Sequence, residues 1–214
     1  MPGDPVMETA APWRWSGLFG KLPLFGDFIS RNVPAALVER LNGWVQAGML
    51  RSRADLGDEW LSYYLCAPIW HFALAPGLCG PWAVAGVMIP SVDKASRHFP
   101  LLALAGRAGD LPALLAGAGG WYAQAESLLL TALADDLDWD ALLAAVTGLA
   151  AGDADTPRPV ALPGEGGTGD SLWWTQGNDT LPPLLLSLPG LPDPAGFAML
   201  LGRPSPPPEP AQPP

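Results

Sequence analysis

Three short apolar runs lie close together near the middle of the chain: IWHFALA at 69–75, the 82–89 part of CGPWAVAGVMIP, and FPLLALA at 99–105. A turn at Pro76 and Gly77 separates the first pair, and the polar stretch SVDKASRH at 91–98 separates the second. Parallel strands need a crossover of a dozen or more residues, usually a helix, so connections this short predict an antiparallel meander. Around the meander the apolar period is helical. Pro34 opens a predicted helix carrying Leu37, Leu41, Trp44, Val45 and Met49 to about Arg51, with Asn32 read as its cap. A second helix is predicted from Arg53 to Cys66, with Leu56, Trp60, Leu61, Tyr64 and Leu65 on one side and Pro68 as its stop. From Asp110 a stripe of Leu114, Leu115, Trp121, Tyr122, Ala125, Leu128, Leu129 and Leu133 predicts more helix, interrupted near 117–120, and a shorter helix follows Asp138.

Further strands are predicted at WSGLFG (Trp15–Gly20), SLWWT (171–175) and PLLLSL (183–188). A short closing helix is predicted over 193–201, with Asp193 as cap and Pro194 in its first turn. Strands interspersed with helices around a meander predict a single-domain, three-layer-like α/β sandwich, with a mixed or antiparallel sheet flanked by helices. The domain is expected over 13–203. Residues 1–12 read as a disordered N-terminus and 204–214, PSPPPEPAQPP, as a proline-rich disordered tail.

Charge narrows the function. The net charge is −10, which argues against a nucleic-acid partner, since phosphate-backbone binders need clustered Lys and Arg. The charge is uneven: residues 1–107 hold nine basic and eight acidic side chains, whereas 108–214 hold two basic and thirteen acidic. The acidic cluster Asp135, Asp136, Asp138 and Asp140 reads as a solvated helix face. Two cysteines, Cys66 and Cys79, cannot make a four-thiolate zinc site, and Cys66 reads as a buried free thiol. The N-terminus lacks the pattern of a signal peptide, and no apolar run reaches the roughly 18 residues of a membrane span. The expectation is a soluble cytoplasmic protein.

Three strings resemble catalytic or nucleotide-binding motifs, and each is incomplete. GDSL at 169–172 offers Ser171 as a nucleophile, but no histidine follows it, and a serine without a base is a poor nucleophile. GEGGTG at 164–169 satisfies GxGxxG but runs into a strand pattern rather than a helix. GLFGKL at 17–22 has Leu22 where a phosphate loop needs Ser or Thr. His71 lies in an apolar strand and His98 precedes the third run of the meander, a spacing that supports no metal site. No cofactor is expected. Asp27 and Asp93 are candidates for a carboxylate pair, but ion pairs with Lys21, Arg31, Lys94 or Arg97 are the preferred expectation.

The stretch GKLPLFGDFISRNVP at 20–34 is too polar for a core strand and too apolar for an idle loop. It reads as a strand-to-helix corner that is a reaction site, a docking surface or a purely structural tie; in the structural alternative Gly26 takes a positive φ and Asp27 pairs with Arg31. Extended back to GLFGKLPLFGDFISRNVP (17–34), and together with DEWLSYYLCAPIWHFALAPGLCGP (58–81), GVMIPSVDKASRHFPL (86–101), SLWW (171–174) and LPDPAGFAMLL (191–201), it resembles the TagF family, also called ImpM, associated with bacterial type VI secretion. The similarity runs in order through most of 17–201. It implies a single α/β sandwich without known catalytic activity. It also implies a cytoplasmic accessory factor, a post-translational repressor of type VI secretion that engages a forkhead-associated-domain scaffold protein. No catalytic residues carry over. The signature maps onto Lys21, Asp27, Ser30 and Arg31 and again onto Ser91, Asp93 and Arg97, which are the candidate partner-binding residues. The alternative expectation is a hydrolase or small-ligand enzyme using Ser171 or the Asp27 and Asp93 loops.

Overall fold

The structure, a computed structural model, describes residues 13–134, 136–149 and 170–203. The terminal segments 1–12 and 204–214, the glycine-rich string at 164–169, and Asp135 lie outside the described residues.

Strand β1 is Trp15–Gly20 and a three-residue β2 is Ile29–Arg31. Helix α1 (Ala35–Leu56), a 3-10 turn (Gly57–Glu59) and α2 (Trp60–Leu65) lead into the meander β3 (Trp70–Leu74), β4 (Ala83–Ile89) and β5 (Leu101–Arg107). Helices α3 (Leu111–Ala116), α4 (Gly119–Thr131) and α5 (Trp139–Thr147) follow. Strands β6 (Ser171–Thr175) and β7 (Leu184–Leu188), a 3-10 turn at Pro194–Gly196 and α6 (Phe197–Leu200) complete the described chain. One seven-stranded sheet has the order β2-β1-β5-β4-β3-β6-β7, and every pairing in it is antiparallel.

Side-chain alternation divides the core between the two faces of the sheet. Leu18, Ala73, Ala85, Val87, Ala103, Ala105, Leu172 and Trp174 pack under α3, α4 and α5. Phe19, Phe72, Leu74, Val84, Met88, Leu102, Leu104 and Trp173 pack under α1, α2 and α6. Every residue of β3, β4 and β5 is buried, which is why the three runs read as nearly continuous apolar sequence. Two of the buried polar tips find carbonyls: Tyr122 Oη donates to Phe72 O at 2.8 Å and Trp70 Nε1 donates to Leu200 O at 2.8 Å.

Four local expectations change. Helix α1 does not stop near Arg51. Ser52 is buried inside it, donates to Met49 O (3.1 Å) and accepts from Trp60 Nε1 (2.9 Å), so the polar RSR stretch stays helical until Gly57 turns the chain at φ 52°. Asn32 is not the cap of α1. It sits two residues before the Pro34 cap position, at φ 53°, and its side chain donates to Ser16 O at 2.6 Å. Gly26 is not among the positive-φ glycines, whereas Gly20 is, at φ 134° where β1 presses on Pro100 O. Cys66 is a free thiol but exposed, because it lies just past the last turn of α2 rather than in its apolar face.

Candidate functional site

The sheet order explains which loops meet. β1 pairs with β5 in a register that sets Gly20 opposite Leu101. Lys21, the next residue, therefore leaves β1 beside the start of β5 and against residues 90–100, which join β4 to β5. That loop is tight. Asp93 Oδ1 accepts from the backbone N–H groups of Ala95 and Arg97, both at 2.9 Å, and Ser96 takes φ 59°. The Tyr64 hydroxyl of α2 holds the loop's other end, donating to Ser91 O (2.7 Å) and accepting from Ser91 N (3.1 Å).

Asp93 is the hub. Its Oδ2 accepts from Lys21 Nζ at 2.8 Å and from Arg97 Nε at 2.7 Å. Burial by itself would raise its pKa. The hydrogen bond from Lys21, then those from the Arg97 backbone and side chain and from the Ala95 amide, outweigh burial and hold the carboxyl well below the usual range. Lys21 and Asp93 are both buried, whereas Arg97 is largely exposed. Arg97 also donates through Nη2 to Gly26 O, and the Lys94 N–H donates to Phe25 O at 2.9 Å. The 20–34 stretch and the 91–97 loop are thus tied by side chain and backbone, 72 residues apart in sequence across the Lys21–Asp93 pair.

The signature residues divide into two sets. Lys21, Ser91 and Asp93 face inward. Asp27, Ser30, Arg31 and Arg97 face solvent, with Leu24 and Phe28 among them. Two expected pairings change. Among the described residues no ion pair joins Asp27 to Arg31: Arg31 Nη1 donates to Ser30 O at 2.9 Å, and its guanidinium lies 5.9 Å from the Trp139 ring centroid. Nor do Asp27 and Asp93 form a carboxylate pair, since two cations and two amides already occupy Asp93. The preferred ion-pair expectation holds for Asp93, with Lys21 and Arg97 as partners. The corner also contains β2, which no local pattern announces because ISR is short and mostly exposed.

Ser171 is not placed beside a base. Ser171 is fully buried, donates to Gly190 O at 2.5 Å and accepts from Trp173 Nε1 at 3.0 Å. His71 pairs opposite Trp174, three residues along β6, so it projects from the other face of the sheet. There His71 Nε2 meets Glu126 Oε2 at 2.7 Å and its ring stacks on Trp174. His98 is wedged edge-on against Trp60 and Tyr64. Among the described residues no cluster of three or more His, Cys, Asp or Glu could hold a metal ion, and no helix is long and apolar enough to cross a membrane.

Fold and site together define a layered α/β domain in which the charged residues between β1 and β2 are locked to the β4–β5 loop. The family described as TagF N-terminal domain, type VI secretion system-associated, matches residues 17–149. The chain belongs to that family. A crystal structure of PA0076 from Pseudomonas aeruginosa PAO1 is similar over 92% of this chain and 100% of that one, with 35% identity and a TM-score of 0.75. No curated protein matches the chain.

Proposed function

We propose that the chain is a non-enzymatic, cytoplasmic regulator of type VI secretion, a post-translational repressor that acts by binding a forkhead-associated-domain scaffold protein. The observation that carries this reading is the state of Asp93. The one buried carboxylate in the signature is filled by Lys21 and Arg97, so the residues with the most chemical potential are spent on fixing two loops. A site for proton transfer needs a group free to exchange a proton with a substrate. A locked pair of loops instead presents the outward set, Asp27, Ser30 and Arg31, on a rigid base, as binding loops on a scaffold do.

The test replaces only that outward set, as Asp27→Ala, Ser30→Ala and Arg31→Glu together. Lys21 is left alone, because its removal would strip Asp93 of a partner. The expected outcome is a variant with wild-type circular dichroism that no longer represses secretion and no longer retains the forkhead-associated scaffold in a pull-down. Wild-type repression together with wild-type retention in the folded variant refutes the reading.

A further inference from the structure

Leu24 and Phe28 are exposed at 43% and 46% of their surface, and both lie in the loop between β1 and β2. Phe28 is nonetheless fixed. Its ring stands edge-on to Phe99 at 4.7 Å between centroids, and Lys21 Nζ lies 5.1 Å from its centre. An exposed aromatic already held in place is the kind of anchor that costs little ordering on binding.

The charge around these anchors opposes that of the whole molecule. On the Phe28 side, Lys21, Lys94 and Arg97 face two carboxylates in the two loops, Asp27 and Asp93, while the chain as a whole carries −10; Arg31 lies on the other face of the sheet, over Trp139. Asp93 is already committed to Lys21 and Arg97. Lys94 is exposed, and among the described residues its tie is through its backbone N–H, at Phe25 O. An acidic partner is repelled by most of this molecule and attracted here, so the local surplus selects both the partner's charge and its orientation.

We propose that Leu24, Phe28 and Lys94 form the docking patch for an acidic protein segment: a run with several Asp or Glu side chains and at least one large apolar side chain that packs on Phe28. This deepens the partner-binding reading above by naming the contact and the chemistry of what fits it.

The experiment places the photo-crosslinking residue p-benzoylphenylalanine at Leu24 or Phe28, and at Leu130 on α4 as a control, in cells with active type VI secretion. The expected result is an adduct from positions 24 and 28 and none from 130. Mass spectrometry should identify the crosslinked peptide as rich in Asp and Glu, and Lys94→Glu should lower the adduct yield at least fivefold. Three results overturn the patch: no adduct at either position, an adduct with a second copy of this chain, or a peptide without acidic excess. A yield indifferent to Lys94→Glu overturns it as well. Capture of an acidic segment from a protein lacking a forkhead-associated domain supports the patch and refutes the scaffold as the partner.

Discussion

Removing one oxygen atom from Tyr64 tests whether α2 holds the signature loop in place. In Tyr64→Phe, Ser91 O keeps its bond from the Phe99 N–H at 3.1 Å. Ser91 N–H, which donates to the hydroxyl at 3.1 Å, loses that partner in a buried setting. Burial pushes the Tyr64 pKa well above that of a free phenol, against smaller opposing effects from Ser91, Arg53 and Phe99, so the group stays protonated and donating at neutral pH. A buried amide left without an acceptor costs about 1–3 kcal/mol. At roughly 2–4 °C per kcal/mol for a domain of this size, the melting temperature should fall by about 2–12 °C. Calorimetry at pH 7 measures this, with Tyr63→Phe at the neighbouring half-buried position as control, expected within about 0.5 kcal/mol of wild type. Hydrogen exchange at the Ser91 amide should quicken in the Tyr64 variant alone. A Tyr64→Phe protein that melts within about 1 °C of wild type with an unchanged Ser91 amide refutes the reasoning.

Two further outcomes follow from the same geometry. The Asp93 pKa is depressed below its ordinary value of 3.8, so its contribution to stability is fully present above that value and is lost as pH falls through the folded-state pKa. Asp93→Asn should therefore unfold at lower urea than wild type at pH 7, and the gap should narrow below pH 3.8; a constant or widening gap contradicts the assignment. Within α1, a methyl added at Gly43 meets nothing within 4 Å, whereas at Gly48 it runs into the Phe197 ring of α6. Gly43→Ala should stabilise by about 0.5–1 kcal/mol through helix propensity, and Gly48→Ala should destabilise by about 1–3 kcal/mol through overpacking. Urea unfolding of the two variants checks the order, and the reverse order would show that α6 does not pack on α1 at this point.

The elements that were legible in sequence are those whose pattern is local. β1 and the three runs of the meander stand out because apolar residues repeat almost without interruption between turn residues. Asp110, Asp138 and Asp193 announce helix or turn starts, and each accepts a backbone N–H within three residues. What the sequence hid depends on distant partners. Ser52 looks like a break until Trp60 supplies its hydrogen bond. Cys66 looks interior until α2 ends one residue before it. Glu126 gives no local sign of meeting His71, because the contact arises only when α4 packs across the sheet.

The clamp shows the same limit most sharply. Lys21, Asp93 and Arg97 were all visible as charges in signature stretches, and ion pairing was the preferred expectation, but several cations competed for each carboxylate. What decides among them is the insertion of β5 between β1 and β4, which carries the end of β1 to the β4–β5 loop and leaves Arg31 on the edge strand beside Trp139. The pairing then has a positional meaning. A buried ion pair is weak evidence for stability, because desolvation offsets most of its attraction, and its best-attested use is to fix one arrangement over others. Here the arrangement fixed is that of two loops, and Lys21 also touches Phe28, the exposed ring between them. The ion-paired part of the signature thus acts on the exposed surface beside it: Lys21, Asp93 and Arg97 set where Leu24, Phe28 and Lys94 stand. A surface built this way loses binding when its base is disturbed as well as when its face is changed. Substitutions at Lys21 and Phe28 should therefore be non-additive in any binding assay, as expected for residues in direct contact.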